Sequence, residues 1–406
     1  MKVCFETFGC RLNRAEALQE EATYLARGWV QTERHDDADL IVVRGCSVTR
    51  RAQRDCERLI EHIRGKYPLK RVIVTGCLPD SDKNYKLNAV SRRIAAVGKD
   101  TDKPAVPTRT ARAYLKVQDG CNGVCTFCIV PQFRGKATSV PYADCLARAQ
   151  AFIDAGYREI VVTGCNLSMY ADGGMGLPEL LTGLASLDDR CRIRLGSLEP
   201  SPVALRTVET VAAHDSICNY LHIPVQCGSN RILAAMRRPY QTRLVEEIAK
   251  SAAKLMPGLG LGCDIMTGFP GETDTDFLAT EALFRRLPFN KAHIFPYSER
   301  PGTVAATLQN SIPPDVRSQR AHEIAKLADE ARTRFAKSFK GKTVEIVVED
   351  EKNLAGWTAE YLWCQVGAEK AKPLLHGRNA AAYARKQRVR ILVRETHGHL
   401  LIGDVV

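Results

Sequence analysis

The chain has 406 residues, long enough for two or three domains of ordinary size. With 45% hydrophobic and 26% charged residues it has a globular balance, which excludes a disordered or fibrous chain. Lysine and arginine (58) outnumber aspartate and glutamate (46), and the net charge of +12 suits a polyanionic partner or simply a soluble basic protein.

The chain starts Met1-Lys2-Val3-Cys4-Phe5-Glu6, without an apolar signal core, and no stretch reads as a membrane span. A cytoplasmic location with no membrane association is therefore expected. In that compartment 15 cysteines are poor candidates for a disulfide framework and better ones for metal or cluster ligands.

The apolar runs Val3-Phe8, Leu40-Val43 and Val72-Thr75 alternate with helix-like segments Ala15-Arg27 and Arg50-Tyr67, which predicts a small doubly wound parallel sheet. A polar stretch near Asp100-Thr110, with Pro104 and Pro107, reads as a linker. Six strand candidates follow: Ala113-Val117, Glu159-Thr163, Arg192-Gly196, Tyr220-Ile223, Gly260-Ile265 and Lys291-Pro296. Each precedes a segment able to form a helix, so the expectation is an open, six-strand parallel (β/α) barrel. An amphipathic helix over 316–339 leads to alternating strands Thr343-Val348, Trp357-Val366 and Val389-Arg394, the pattern of a small β-barrel. The fold class is α/β, with expected domains 1–105, 106–338 and 339–406.

The segment Asp119-Gly120-Cys121-Asn122-Gly123-Val124-Cys125-Thr126-Phe127-Cys128 places three thiols, spaced C-x3-C-x2-C, in one loop beyond a strand end. A four-iron cubane held by three thiolates keeps one iron open, and that iron can chelate the amino and carboxylate groups of S-adenosylmethionine. Zinc would close with a fourth Cys or His nearby, and none follows locally. Cys10, Cys46 and Cys77 each sit just past one of the first three strands, in Gly9-Cys10, Gly45-Cys46 and Gly76-Cys77. Loops after parallel strands share one sheet edge, so these three could meet there, with the glycines permitting tight turns. Spacing alone is equally compatible with small buried cysteines at strand ends. The remaining nine cysteines share no spacing and are assigned to packing, Cys165 and Cys227 lying nearest the expected strand-end loops.

Taken in order, Thr7-Phe8-Gly9-Cys10-Arg11-Leu12-Asn13, the triplet loop ending Ile129-Val130-Pro131, His222-Ile223-Pro224-Val225-Gln226-Cys227-Gly228-Ser229, Gly268-Phe269-Pro270-Gly271-Glu272-Thr273 and Phe295-Pro296-Tyr297-Ser298-Glu299-Arg300-Pro301-Gly302-Thr303 resemble the radical-SAM methylthiotransferase family. Gln118-Asp119-Gly120-Cys121-Asn122 and Ser197-Leu198-Glu199-Pro200 look like its branch acting on N6-threonylcarbamoyladenosine in tRNA. Other branches act on isopentenyladenosine or on an aspartate of a ribosomal protein. The chain departs from the family pattern at Arg44-Gly45, Leu78-Pro79, Cys227 and Thr138.

The resemblance implies two 4Fe-4S clusters, one on Cys121, Cys125 and Cys128 and an auxiliary one on Cys10, Cys46 and Cys77, with S-adenosylmethionine as cosubstrate. One cosubstrate would methylate sulfur at the auxiliary cluster, and a second would give a 5'-deoxyadenosyl radical that activates C2 of the adenine. Asn166 and Glu199 would lie near the cosubstrate, with Phe127 offering backbone contacts to its adenine. Gly164, Ser197 and Gln226 are further candidates, because barrel chemistry sits at the C-terminal strand ends; strand-end capping is the plainer role.

Between 370 and 394, the basic residues Lys370, Lys372, Arg378, Arg385, Lys386, Arg388, Arg390 and Arg394 are unmatched by any acidic one, with Trp357, Tyr361, Trp363 and Tyr383 available to stack on bases. A solvated basic face and core aromatics would look the same, but the region's position resembles the terminal TRAM-like RNA-binding barrel of these enzymes. Expected partners are the anticodon loop of tRNA, a low-potential electron donor and a sulfur donor, with no obligate protein partner. A non-catalytic iron-sulfur RNA-binding sensor is the rival from another class.

Overall fold

The computed structural model describes residues 1–48, 50–77, 106, 110–376 and 380–406. Most of the expected linker, Leu78-Pro79 and Arg378 lie outside these residues.

The first sheet is parallel, in the order β2-β1-β3-β4, from β1 (Lys2–Thr7), β2 (Val30–Gln31), β3 (Leu40–Cys46) and β4 (Arg71–Cys77). Side chains alternate across a strand, so the apolar residues of β1 and β3 divide between two faces. Cys4, Ile41 and Val43 pack with Cys56, Ile60 and Ile63 of α2 (Arg50–Lys66). Val3, Leu40 and Val42 pack on the other face with Tyr24 of α1 (Arg11–Ala26). The sheet is therefore doubly wound. The sequence pattern missed the edge strand β2, which has only two residues.

All six strands expected next are present: β5 (Ala113–Lys116), β6 (Glu159–Thr163), β7 (Arg192–Leu195), β8 (Tyr220–Gln226), β9 (Gly260–Thr267) and β10 (Lys291–Pro296). They form two parallel three-stranded sheets, β5-β6-β7 and β8-β9-β10, linked by parallel bridges Ile193 to Ile217 and Ser197 to His222. No ladder joins β5 to β10 among the described residues. A helix follows each strand, the last being the long helix Pro314–Lys337, and the apolar core lies between strands and helices. The triplet loop leaves β5 through a short antiparallel pairing of Gln118–Asp119 with Thr138–Ser139 and contains α3 (Val130–Arg134).

The C-terminal region closes into a barrel in the order β11-β12-β13-β15-β14, from β11 (Thr343–Asp350), β12 (Ala355–Thr358), β13 (Trp363–Gln365), β14 (Arg388–His397) and β15 (Leu400–Val405). The single strand expected over Trp357-Val366 is in fact two, because the chain turns back at Tyr361, which has φ +67°. The apolar alternation continues across such a tight turn, so periodicity alone does not reveal the break.

That turn lies against the N-terminal ends of the central strands. Ile193 and Leu195 face the helical core, which sends Arg192 and Arg194 to the inner side of β7. Both guanidiniums hold the fully buried Glu159, each through Nε at 2.6 Å. They also donate to the carbonyls of Trp357, Thr358 and Ala359. Buried charges need this full pairing, and here it anchors the terminal barrel. A Cβ on Gly260, the first residue of β9, would run into the Glu360 carbonyl. Gly260→Ala is thus expected to cost about 1–3 kcal/mol by overpacking, read as a lowered midpoint in denaturant unfolding.

Candidate active site

The registers of the first sheet explain how three distant cysteines reach one edge. Thr7 pairs with Arg44, and Cys46 lies directly opposite Cys77. Cys10 follows β1 at the N-cap of α1, so the partial positive charge of that helix end faces the cysteine edge and favours an anionic thiolate set. Gly9 has φ +96°, and a Cβ there would stand 2.8 Å from Cys46 Sγ. At Gly76 (φ +94°) a Cβ would meet the Gly45 carbonyl oxygen at 2.5 Å. Both positions admit only glycine without rearrangement. Gly45 differs from the expectation: it is an ordinary residue of β3, and its carbonyl accepts from Asn13 Nδ2 at 2.7 Å. Asn13 also donates to the Phe8 carbonyl at 2.8 Å, clamping the turns that carry Cys10 and Cys46.

Each thiol of the central triplet has a donor aimed at it. Gly123 N–H reaches Cys121 Sγ at 3.2 Å, Val130 N–H reaches Cys128 Sγ at 3.4 Å, and Arg238 Nη1 reaches Cys125 Sγ at 3.1 Å. Burial, aided by the neighbouring thiols, pushes Cys128 up to about 11. A bound metal reverses that balance and takes the thiolate.

A single zinc at about 2.3 Å from each sulfur would hold the sulfurs roughly 3.8 Å apart. Among the described residues, only Cys4, Glu6, His35 and His222, Asp264, His293 gather three ligating atoms within 4.8 Å. Neither cysteine triplet closes that tightly, so both suit a cluster better than one ion.

One arginine links the cysteine edge of the first sheet to the segment that leads into the triplet loop. Arg134, at the end of α3 and 8% exposed, donates Nε to Cys77 Sγ at 3.0 Å. Its Nη1 reaches Glu16 and Asp119, both at 3.0 Å, and its Nη2 reaches Glu16 and Asn13, both at 3.1 Å. Lys116 Nζ, 2.5 Å from Glu16 and 2.6 Å from Asp119, completes the bridge. Burial alone would raise the Asp119 carboxyl, but Lys116 and Arg134 hold it down at about 2.

The model of the Radical SAM superfamily matches residues 115–284, and that of the uncharacterized protein family UPF0004 matches 2–97. The threonylcarbamoyladenosine tRNA methylthiotransferase MtaB of Bacillus subtilis is 32% identical over 408 residues, covering 89% of each chain. This chain belongs to the radical-SAM methylthiotransferase family. The Aquifex aeolicus MtaB is 30% identical over 87% of this chain and 94% of its own. A tRNA-2-methylthio-N(6)-dimethylallyladenosine synthase of Chlorobium limicola is also 30% identical, over 86% and 87%. The fold is similar to that of the radical S-adenosylmethionine methyltransferase TsrM from Kitasatospora setae, with TM-score 0.54 at 12% identity over 99% of this chain and 83% of that one. Enzymes of this family use S-adenosylmethionine and two 4Fe-4S clusters.

The other expected site residues lie at the C-terminal strand ends. Glu199 is bonded to Arg238, and so sits one side chain away from Cys125. Asn166 Oδ1 and Gln226 Oε1 are buried without a partner among the described residues, the second on a backbone at φ +65°. A non-glycine residue in that region is uncommon and recurs at ligand sites. Asn166 N–H donates to Gln118 Oε1 at 2.9 Å, and Gly164 packs against the same glutamine. Ser197 is exposed and bridges to His222. Phe127 meets Phe269 edge to face, the rings 6.5 Å apart. Cys227 is buried against Thr280, a packing role, and Cys165 faces Asp119 at 3.5 Å.

Sequence reading gave no role to Arg134, Arg238, Asn13 or Glu16. Asn13 stood inside a quoted motif and Arg134 six residues after the last triplet cysteine, but only the fold shows what they hold. The terminal basic run is also less bare than its linear order suggests. Lys370 and Arg394 pair with Asp404, and Arg388 pairs with Glu345, while Lys372 and Arg390 remain exposed. Tyr361 is buried and stacked on Trp357 with ring centres 4.6 Å apart. Those two rings serve the contact between the barrels and are not offered to bases. Among the described residues no helix is long and apolar enough to cross a membrane.

Proposed function

We propose that this enzyme converts N6-threonylcarbamoyladenosine at position 37 of tRNA to its 2-methylthio derivative. The observation that supports this reading is Arg134, which donates to Cys77 of one three-thiol set and to Asp119, two residues before Cys121 of the other. The names of the Bacillus and Aquifex relatives favour the threonylcarbamoyl substrate, and that of the Chlorobium relative makes the dimethylallyl base the competitor.

In this proposal Cys121, Cys125 and Cys128 hold the radical-generating cluster, and Cys10, Cys46 and Cys77 hold the auxiliary one. When bound, these cofactors and S-adenosylmethionine supply C–H activation and the inserted sulfur. Asn166 and Gln226 offer unpartnered carbonyl oxygens to the cosubstrate, and Arg238 orients Glu199 beside Cys125. Phe127, Gly164 and Ser197 line the same mouth. The chain divides into 1–105 for the auxiliary cluster, 106–338 for the radical barrel and 339–406 for RNA binding. The flipped base of the anticodon loop enters at the barrel mouth. A low-potential electron donor and a sulfur donor act with the enzyme in the cytoplasm, without an obligate protein partner.

Anaerobic incubation of cluster-reconstituted enzyme with S-adenosylmethionine, sulfide, reductant and each modified tRNA, followed by nucleoside mass spectrometry, tests the reading. A methylthio mass gain on threonylcarbamoyladenosine is expected. Gain only on the dimethylallyl base would reassign the substrate, and an absence of 5'-deoxyadenosine would favour the RNA-binding sensor.

A further inference from the structure

Several basic side chains gather around Tyr361 at the junction of the two barrels. Arg11 Nη2 donates to the Tyr361 hydroxyl at 3.0 Å, and Arg332 Nη2 donates to its carbonyl at 2.7 Å. Lys291 Nζ lies 3.9 Å from the centre of its ring. Arg112 and Arg194 also border that ring, but Glu159 pairs with both and Glu349 with Arg112. No carboxylate lies within salt-bridge distance of Arg11, Lys291 or Arg332 among the described residues. Arg332 Nη1 is buried without an acceptor among the described residues, and Lys291 Nζ lies against the rings of Tyr220, Trp357 and Tyr361.

Sheltered cations left without a counter-ion are costly, and an anionic ligand relieves the cost. Burial, followed by repulsion from Arg332, Arg11, Arg194 and Arg112, pushes the Lys291 amine down to about 6. Across the same space Asp264 is occupied by His222 at 2.8 Å and His293 at 3.3 Å. This trio has the residue types of a metal site, but its carboxylate is already engaged by both imidazoles.

Resting on the proposed substrate, we infer that Arg11, Lys291 and Arg332 bind the carboxylate of the threonylcarbamoyl group. Arg11 follows Cys10 in the chain, so this group of basic side chains lies within one arginine's reach of the auxiliary thiols. In adenine C2 and C6 flank N1, so the N6 substituent leaves the ring on a different line from the C2–H bond. A base presenting C2 between the two cluster sites can therefore direct its acidic tail toward Arg11. The neutral dimethylallyl tail supplies no counter-ion, so the pocket also selects between the two substrates. An RNA phosphate has similar charge, and esterifying the amino-acid tail separates the two sources.

The test is calorimetric binding, under anaerobic conditions, of the cluster-loaded full chain to an anticodon stem-loop bearing either the free acid or its threonyl methyl ester. The acid is expected to bind about tenfold tighter or more, the range of a charge-assisted pair. Lys291→Met and Arg332→Gln should each shrink that preference while leaving ester binding near the wild-type value. Equal wild-type affinity for acid and ester, with phosphates unchanged between them, overturns the inference without reference to any variant. Preference for the acid with no methylthio product would uphold the pocket and defeat the substrate reading. Product from the acid without such preference would do the reverse.

Discussion

Cys125→Ala is expected to abolish reductive cleavage of S-adenosylmethionine, whereas Cys10→Ala is expected to leave cleavage in place and stop methylthio transfer. The expected difference follows from where the two thiols stand. Cys125 lies in the central loop, bonded to Arg238, which also holds Glu199 at the strand ends assigned to the cosubstrate. Cys10 caps α1 at the edge of the first sheet, and the link between the sites runs through Arg134 and Cys77 rather than through Cys10 itself. Losing the Cys10 thiol therefore leaves the donors around Cys121, Cys125 and Cys128 intact. Iron content, 5'-deoxyadenosine and methylthio nucleoside are measured on the same preparations. Methylthio product from the Cys10 variant would refute this division of labour.

Arg134→Met is the second large effect. The guanidinium serves Glu16, Asp119, Asn13 and Cys77 together at 8% exposure. Its removal leaves the half-buried Glu16 with Lys116 and Arg44 as its remaining cationic partners. Breaking a buried charge network by deleting one partner costs about 3–5 kcal/mol, and a lowered thermal unfolding midpoint of the loaded enzyme is expected. Arg134→Lys should rescue little, because one ammonium cannot reproduce a planar fork with several fixed donors. Loss of the donor to Cys77 should also shift the reduction potential of the auxiliary centre, followed by electron paramagnetic resonance. An unchanged midpoint and potential in the methionine variant would show that the bridge is incidental.

Arg134 also marks where sequence reading stops. The triplet Cys121, Cys125 and Cys128 is local, so its chemistry is readable from spacing in one loop. Apolar periodicity likewise revealed the doubly wound sheet and all six central strands, because strands buried against helices carry apolar residues at regular intervals. Cys10, Cys46 and Cys77 were half legible: strand-end positions allowed a common edge, and the Cys46 to Cys77 register shows two of them side by side.

The linear sequence by itself determined the element order, the central cysteine loop and the family, since each depends on residues close in the chain or on an ordered series of motifs. Only the tertiary structure decided which side chains meet across long separations. It gave Arg134 to Cys77, Glu16 and Asp119, Arg238 to Cys125 and Glu199, and Tyr361 its ring of basic side chains at the junction of the two barrels. The physical reason is that hydrogen bonds and ion pairs act over a few ångströms of space, whatever the number of residues between the partners.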